Sequence, residues 1–237
     1  MLRSFNWHDM EGLLRGAGWT LALCVTSGVL GTLLGILLAL AATSPVRIAR
    51  WVAAAYVSFV RGIPLLILVF FAYFGIPLMF PTVNISAFTT AVIALTAFSA
   101  AYLAEIFRGS INAVPQGQLE AASALGLSYA HKYRCVVLPQ AMRIAVPPAI
   151  GFLIALIKDS SLVTVIGFVE LTHAGTIISN LTADPILTYT VVAAMYFVIC
   201  YGVSRLGRWY ERRSSLQDRV AVDPDQKPQA LQLEGVA

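Results

Sequence analysis

The 237 residues are 58% apolar and only 12% charged, with a net charge of +4 and a mean hydropathy of +0.77; a soluble domain carries about 25% charged residues. No Asp, Glu, Lys or Arg stands between Arg15 and Arg47, nor between Arg61 and Glu105, which excludes a bundle of water-soluble helices. The basic residues cluster in short segments between apolar runs, a pattern of membrane orientation and not of a nucleic-acid footprint. Cys24, Cys135 and Cys200 are odd in number and belong to no CxxC or Cys/His cluster, so neither a disulfide framework nor a metal site is implied.

About 20 apolar residues cross a hydrocarbon core of about 30 Å, and five segments qualify. The first runs from about Trp19 to Ala42 and stops at Ser44-Pro45; it is too long for a signal-peptide core and is expected to stay as a membrane helix. The second lies within Ala53 to Phe80, interrupted by Arg61-Gly62-Ile63-Pro64. The third spans about Ile85 to Phe107, the fourth Ile144 to Phe168 and the fifth Ile186 to Leu206. Arg47 and Arg50, the stretch from Arg108 to Arg143, and the end from Arg205 to Arg213 carry the positive charge. These three segments are assigned to the cytoplasm. The expected architecture is an all-α membrane protein of five spans, with the N-terminus outside and the C-terminus inside. Residues 1–210 form the membrane domain, and polar 211–237, with Pro224 and Pro228, is expected to be a disordered cytoplasmic tail.

Between spans three and four, Val114 to Gln140 is too structured in composition for a passive linker. Pro115 and Gly117 stop one helix, strong helix formers fill 118–125, and Gly126 is placed to cap the end. A short helix near 118–127 outside the bilayer is predicted. Its single charge, Glu120, stands beside small Ala121 and Ala122, as suits a knob seated in a partner's groove. Rest against its own bundle or against lipid headgroups is the alternative.

Within the hydrocarbon, an isolated charge costs about 2.5–3.5 kcal/mol on insertion scales. Lys158 and Asp159, followed by Ser160 and Ser161, fall late in span four. Adjacent helical residues point about 100° apart, so the two do not neutralise each other directly. They either line a solute path or hold spans together by polar contacts. Glu105 is a further candidate for the path, although its spacing to Arg108 suits a local ion pair. Gly31 and Gly35 form a small-xxx-small pair for close helix packing, either within the bundle or between subunits.

The loop pattern Glu120-Ala121-Ala122, Gly126, Val136 and Leu138-Pro139 resembles the EAA signature of membrane subunits of bacterial ABC importers, with Val136 where Ile is usual. Arg61-Gly62-Ile63-Pro64-Leu65-Leu66, the run Ala101 to Gly109, Val114 to Gln118 and Lys158 to Leu162 are similar to the polar amino acid permease branch. The resemblance implies an inner-membrane importer subunit for a polar or charged amino acid. It further implies a second permease subunit, identical or similar, cytoplasmic ATPase subunits and an external substrate-binding protein. Glu120, Ala121, Ala122, Gly126, Leu138 and Pro139 would then couple to the ATPase. Lys132, Lys158 and Lys227 are the only lysines and none follows a glycine, so no P-loop is present; ATP is expected to be consumed by a partner, with no catalytic residue, metal or cofactor in this chain. The competing reading is a transporter or channel driven by an ion gradient, with Lys158, Asp159 and Glu105 as a relay.

Overall fold

A computed structural model describes residues 5–82 and 84–221, with side chains as far as Arg212, and among these all regular structure is helical. Helix α1 spans Trp7–Ala42, twelve residues longer at its start than the apolar pattern indicates. The extension is set by a reciprocal cap: Asn6 accepts from the Asp9 N–H and Asp9 accepts from the Asn6 N–H. Helix α2, Arg47–Arg61, and α3, Leu65–Met79, meet at 102°. The second predicted span is therefore a sharply broken pair. Pro64 has no N–H to continue α2, and its predecessor is pushed away from the helical region.

Helix α4, Ala87–Asn112, is the most buried of the long helices. It is followed by α5, Gln116–Ala124, and by α6, a rod covering Tyr129–Ile166. α3 and α6 each widen into a π-helical turn, at Phe71–Gly75 and Tyr133–Val137. Both turns lie one turn ahead of a proline, Pro77 and Pro139, whose ring removes a hydrogen bond and crowds the carbonyl four residues earlier. Pro147 and Pro148 leave α6 helical, and the rod tightens to a 3-10 helix over Ser160–Ile166.

Two expectations are corrected beyond this point. The connection read between Glu170 and Pro185 is itself helical over Leu171–Thr182, named α7. Its amphipathic spacing of Leu171, Ala174 and Ile178 packs with Leu13 and Ala17 of α1. The last helix, α8, covers Pro185–Ala221, so the tail expected to be disordered from 211 is helical through 221; 222–237 lie outside the described residues. The good helix formers Glu211, Arg212 and Arg213 carry the last span onward without a break.

Among the described residues four helices, α1, α4, α6 and α8, are long and apolar enough to cross a membrane, and the total reaches five when the bent pair α2–α3 is counted as one span. The core joins α1, α3, α4 and α6 through Leu23, Val69, Leu95, Leu103 and Leu156. α1 and α4 approach most closely at the glycine pair: a Cβ on Gly31 would lie 2.4 Å from the Ser99 Cβ, and one on Gly35 would lie 3.0 Å from the Leu103 Cβ. The small-residue pair therefore packs within the bundle.

Candidate functional site

At one end of the bundle α5 stands away from the long helices. Pro115 opens it, suited by its fixed φ. Its far end closes with two reverse hydrogen bonds, Leu127 N–H to the Ala122 carbonyl at 3.2 Å and Gly126 N–H to the Ser123 carbonyl at 2.9 Å, the pattern of a Schellman cap. That cap holds Gly126 at φ +71°, with open space where a Cβ would project. A side chain there is resisted by backbone strain and not by crowding.

Ala122 is buried and fastens the helix to the molecule, whereas Glu120, Ala121, Ala124 and Leu125 face outward. Leu125 is 79% exposed, an apolar tip that sequence reasoning passed over because Leu at a helix end reads as core. Glu120 makes no hydrogen bond or ion pair to a described residue. Two struts tie α5 to α6: Lys132 Nζ donates to Ser123 Oγ at 2.8 Å, and Gln140 Nε2 donates to Gln118 Oε1 at 3.4 Å. A cavity of about 500 Å³ opens beside the helix, lined by Asn112, Gln116, Leu119, Lys132 and Tyr133 among others, with the exposed Glu120 at its border. Leu138 is half-buried against the core and Pro139 is exposed, so this part of the motif shapes the start of α6 more than it extends the outward face.

The second group of candidates lies further along α6. Lys158 is exposed, Asp159 and Ser161 are half-buried and Ser160 is fully buried. No ion pair joins Lys158 to Asp159 among the described residues. Both serine hydroxyls return to their own helix, Ser160 to the Ile157 carbonyl and Ser161 to the Lys158 carbonyl, at 2.8 and 2.7 Å. Glu105 is not gathered with them. The antiparallel α4 and α6 touch at Tyr102 and Phe152, whose rings stack at 5.6 Å. Glu105 lies three residues from that contact in one direction and Asp159 seven in the other, an axial separation of about 15 Å. Glu105 instead holds Arg108, which donates from Nε at 3.0 Å and Nη2 at 2.5 Å.

The residue that sequence reasoning missed is Glu170, which stands in the connection between the fourth and fifth predicted spans. It is 0% exposed and sits at the N-terminus of α7. One carboxylate oxygen accepts from the His173 N–H at 2.9 Å and the Thr164 hydroxyl at 2.6 Å. The other accepts from the Thr172 N–H at 2.8 Å and the Tyr196 hydroxyl at 2.9 Å. Nearby, the Leu171 N–H donates to Thr20 Oγ1 of α1 at 3.1 Å. The 3-10 end of α6, α7, α8 and α1 are thus pinned at one point. The available signal was an acidic N-cap ahead of a helical apolar spacing.

Residues 31–216 match the model of the binding-protein-dependent transport system inner membrane component family. The chain is 42% identical over 210 residues to a probable amino-acid ABC transporter permease protein, YckA, of Bacillus subtilis (strain 168), covering 84% of this chain and 92% of that protein. It is 37% identical over 210 residues to the glutamine transport system permease protein GlnP of Escherichia coli (strain K12), covering 89% and 96%. A crystal structure of an amino acid ABC transporter with histidines superposes with a TM-score of 0.81 at 36% identity, over 89% of this chain and 100% of that one.

Proposed function

Because the chain belongs to the family of inner membrane components of binding-protein-dependent transport systems, a multi-pass membrane permease, we propose that it carries an amino acid with a polar or charged side chain inward, driven by ATP hydrolysed on a separate subunit. The relatives named for glutamine and the transporter solved with histidines support the cargo class. The observation that carries the coupling role is α5 itself: a short capped helix, strutted to α6, with Glu120, Ala121 and Leu125 exposed and, among the described residues, nothing upon them.

In this reading the end bearing α5 faces the cytoplasm, in accord with Arg47, Arg50, Lys132, Arg134 and Arg143 near it. Nucleotide-driven closure of the ATPases shifts α5. The Lys132–Ser123 and Gln140–Gln118 bonds pass the displacement to the start of α6. Because α6 runs without interruption to Lys158 and Asp159, a tilt at one end moves the charged pair at the other. Lys158 offers a cation to the amino acid's carboxylate and Asp159 an anion to its ammonium. A second permease subunit completes the path, since an exposed Lys158 in a lipid-facing position is costly, and an external binding protein delivers the cargo. No residue of this chain performs covalent chemistry, and no cofactor or metal is assigned to it.

A cysteine introduced as Ala121→Cys in the assembled transporter is expected to cross-link to the ATPase subunit. Lys158→Gln combined with Asp159→Asn is expected to lower uptake at least about tenfold while the chain stays assembled. Unchanged uptake with a lower thermal midpoint would assign that pair to packing, and absence of the cross-link would remove the coupling assignment.

A further inference from the structure

A trough separates α2 from the rest of the bundle, and neither the coupling helix nor the charged pair of α6 reaches it. One face of α2 forms its long wall: Arg50, Ala53, Val57 and Arg61 recur at i, i+3, i+7 and i+11 and line a cavity of about 440 Å³. Ala104, Glu105 and Arg108 of α4 stand opposite. The small side chains Ala53 and Ala104 leave the volume, and the long charged ones border it.

The charges do not balance. Three guanidinium groups share one carboxylate, and Glu105 is already held at two points by Arg108. Arg50 is anchored by Nη1 to the Ser44 and Pro45 carbonyls at 2.9 and 3.2 Å, which aims it without satisfying its other N–H groups. Arg61 lies over the Tyr102 ring at 5.2 Å; that contact orients its plane and takes none of its five donors. An excess of two positive charges therefore faces a cavity with walls that are otherwise apolar but for Ser58. The other sides of α2 expose Ile48, Trp51, Val52 and Phe59, an apolar surface suited to acyl chains and interfacial packing.

We propose that this trough is a binding site for an anionic phospholipid, with Arg61 and Arg50 donating to its phosphate and the apolar face of α2 against its acyl chains. Guanidinium suits a phosphate because its planar donor fork pairs with two oxygens at once, and basic pockets between membrane helices hold anionic headgroups elsewhere. Glu105 opposes the ligand's charge and limits its affinity.

The test counts phosphatidylglycerol bound to the assembled transporter by native mass spectrometry, after release from symmetric nanodiscs of phosphatidylcholine containing phosphatidylglycerol, without nucleotide or amino acid. The readout depends on neither coupling nor solute binding, so it is separate from the transport reading. Arg50→Gln with Arg61→Gln is expected to weaken retention about tenfold. Glu105→Gln is expected to strengthen it, a sign that general loosening of the fold would not produce. Equal retention by wild type and the double variant, or weaker retention by Glu105→Gln, would overturn the proposal. Displacement of the lipid by inorganic phosphate at low concentration would reassign the site to a soluble anion and likewise overturn the lipid assignment.

Discussion

Glu120 and Glu170 are acids at opposite ends of one bundle, and the structure treats them in opposite ways. Glu170 is sealed from solvent and receives four donors from three segments of the chain. Glu120 sits on a nine-residue helix in the open, with no donor from any described residue. A buried carboxylate is tolerated only when its oxygens are satisfied, so Glu170 belongs to the architecture. An acid left unsatisfied beside Ala121 and an exposed Leu125 is available to another molecule.

The sharpest way to break that contrast is Glu170→Gln. Each oxygen of Glu170 accepts one backbone N–H, from His173 or Thr172, and a backbone donor cannot reverse its role. Whichever way the amide of Gln turns, its NH2 meets a backbone N–H. The substitution is expected to cost about 3 kcal/mol, read as a lowered thermal midpoint of the purified transporter; an unchanged midpoint would show that the network contributes little. Tyr196→Phe, which removes one hydroxyl and leaves both backbone donors in place, is expected to lose less.

Gly31→Ala carries the next largest effect. Its Cβ would fall 2.4 Å from that of Ser99 and 3.3 Å from the Ala100 N, so α1 and α4 must part, with a loss of about 1–3 kcal/mol. Retained stability would mean that the two helices tolerate a wider spacing than the glycine pair implies. Smallest in stability is Glu120→Ala, expected below about 0.5 kcal/mol because the site is exposed, yet uptake is expected to fall several-fold. If stability and uptake fell together, the distinction between the two acids would fail.

Much of this was legible in the sequence because hydrophobic runs report membrane spans directly, and because Pro115, Gly126 and the residues between them carry local signals for a short capped helix. The cap at Gly126 forms with the left-handed backbone that only glycine adopts without strain. What escaped was set by distant partners. Glu170 gains its meaning from Tyr196 and Thr164, residues of other helices, and nothing in the order of the chain announces that they converge. The start of α1 escaped because Asp9, Glu11 and Arg15 interrupt its hydropathy, although Asn6 and Asp9 held the capping signal. Glu105 was grouped with Lys158 and Asp159 as a charge within the spans; the antiparallel packing of α4 on α6 carries it away from them, and the local pair with Arg108 that its spacing suggested is the one that forms.

The coupling role proposed for α5 is tested most directly at its cap. Gly126→Val places a β-branched side chain at φ +71°, a strain of about 1–2 kcal/mol, at a position where no atom lies within 4 Å of the added Cβ. In proteoliposomes containing the permease, its ATPase subunits and the loaded binding protein, this variant is predicted to insert normally, to lose at least about 90% of ATP-driven uptake, and to lose stimulation of ATP hydrolysis by the binding protein. Uptake and stimulated hydrolysis at wild-type rates would contradict the assignment of α5 as the element through which the motor acts.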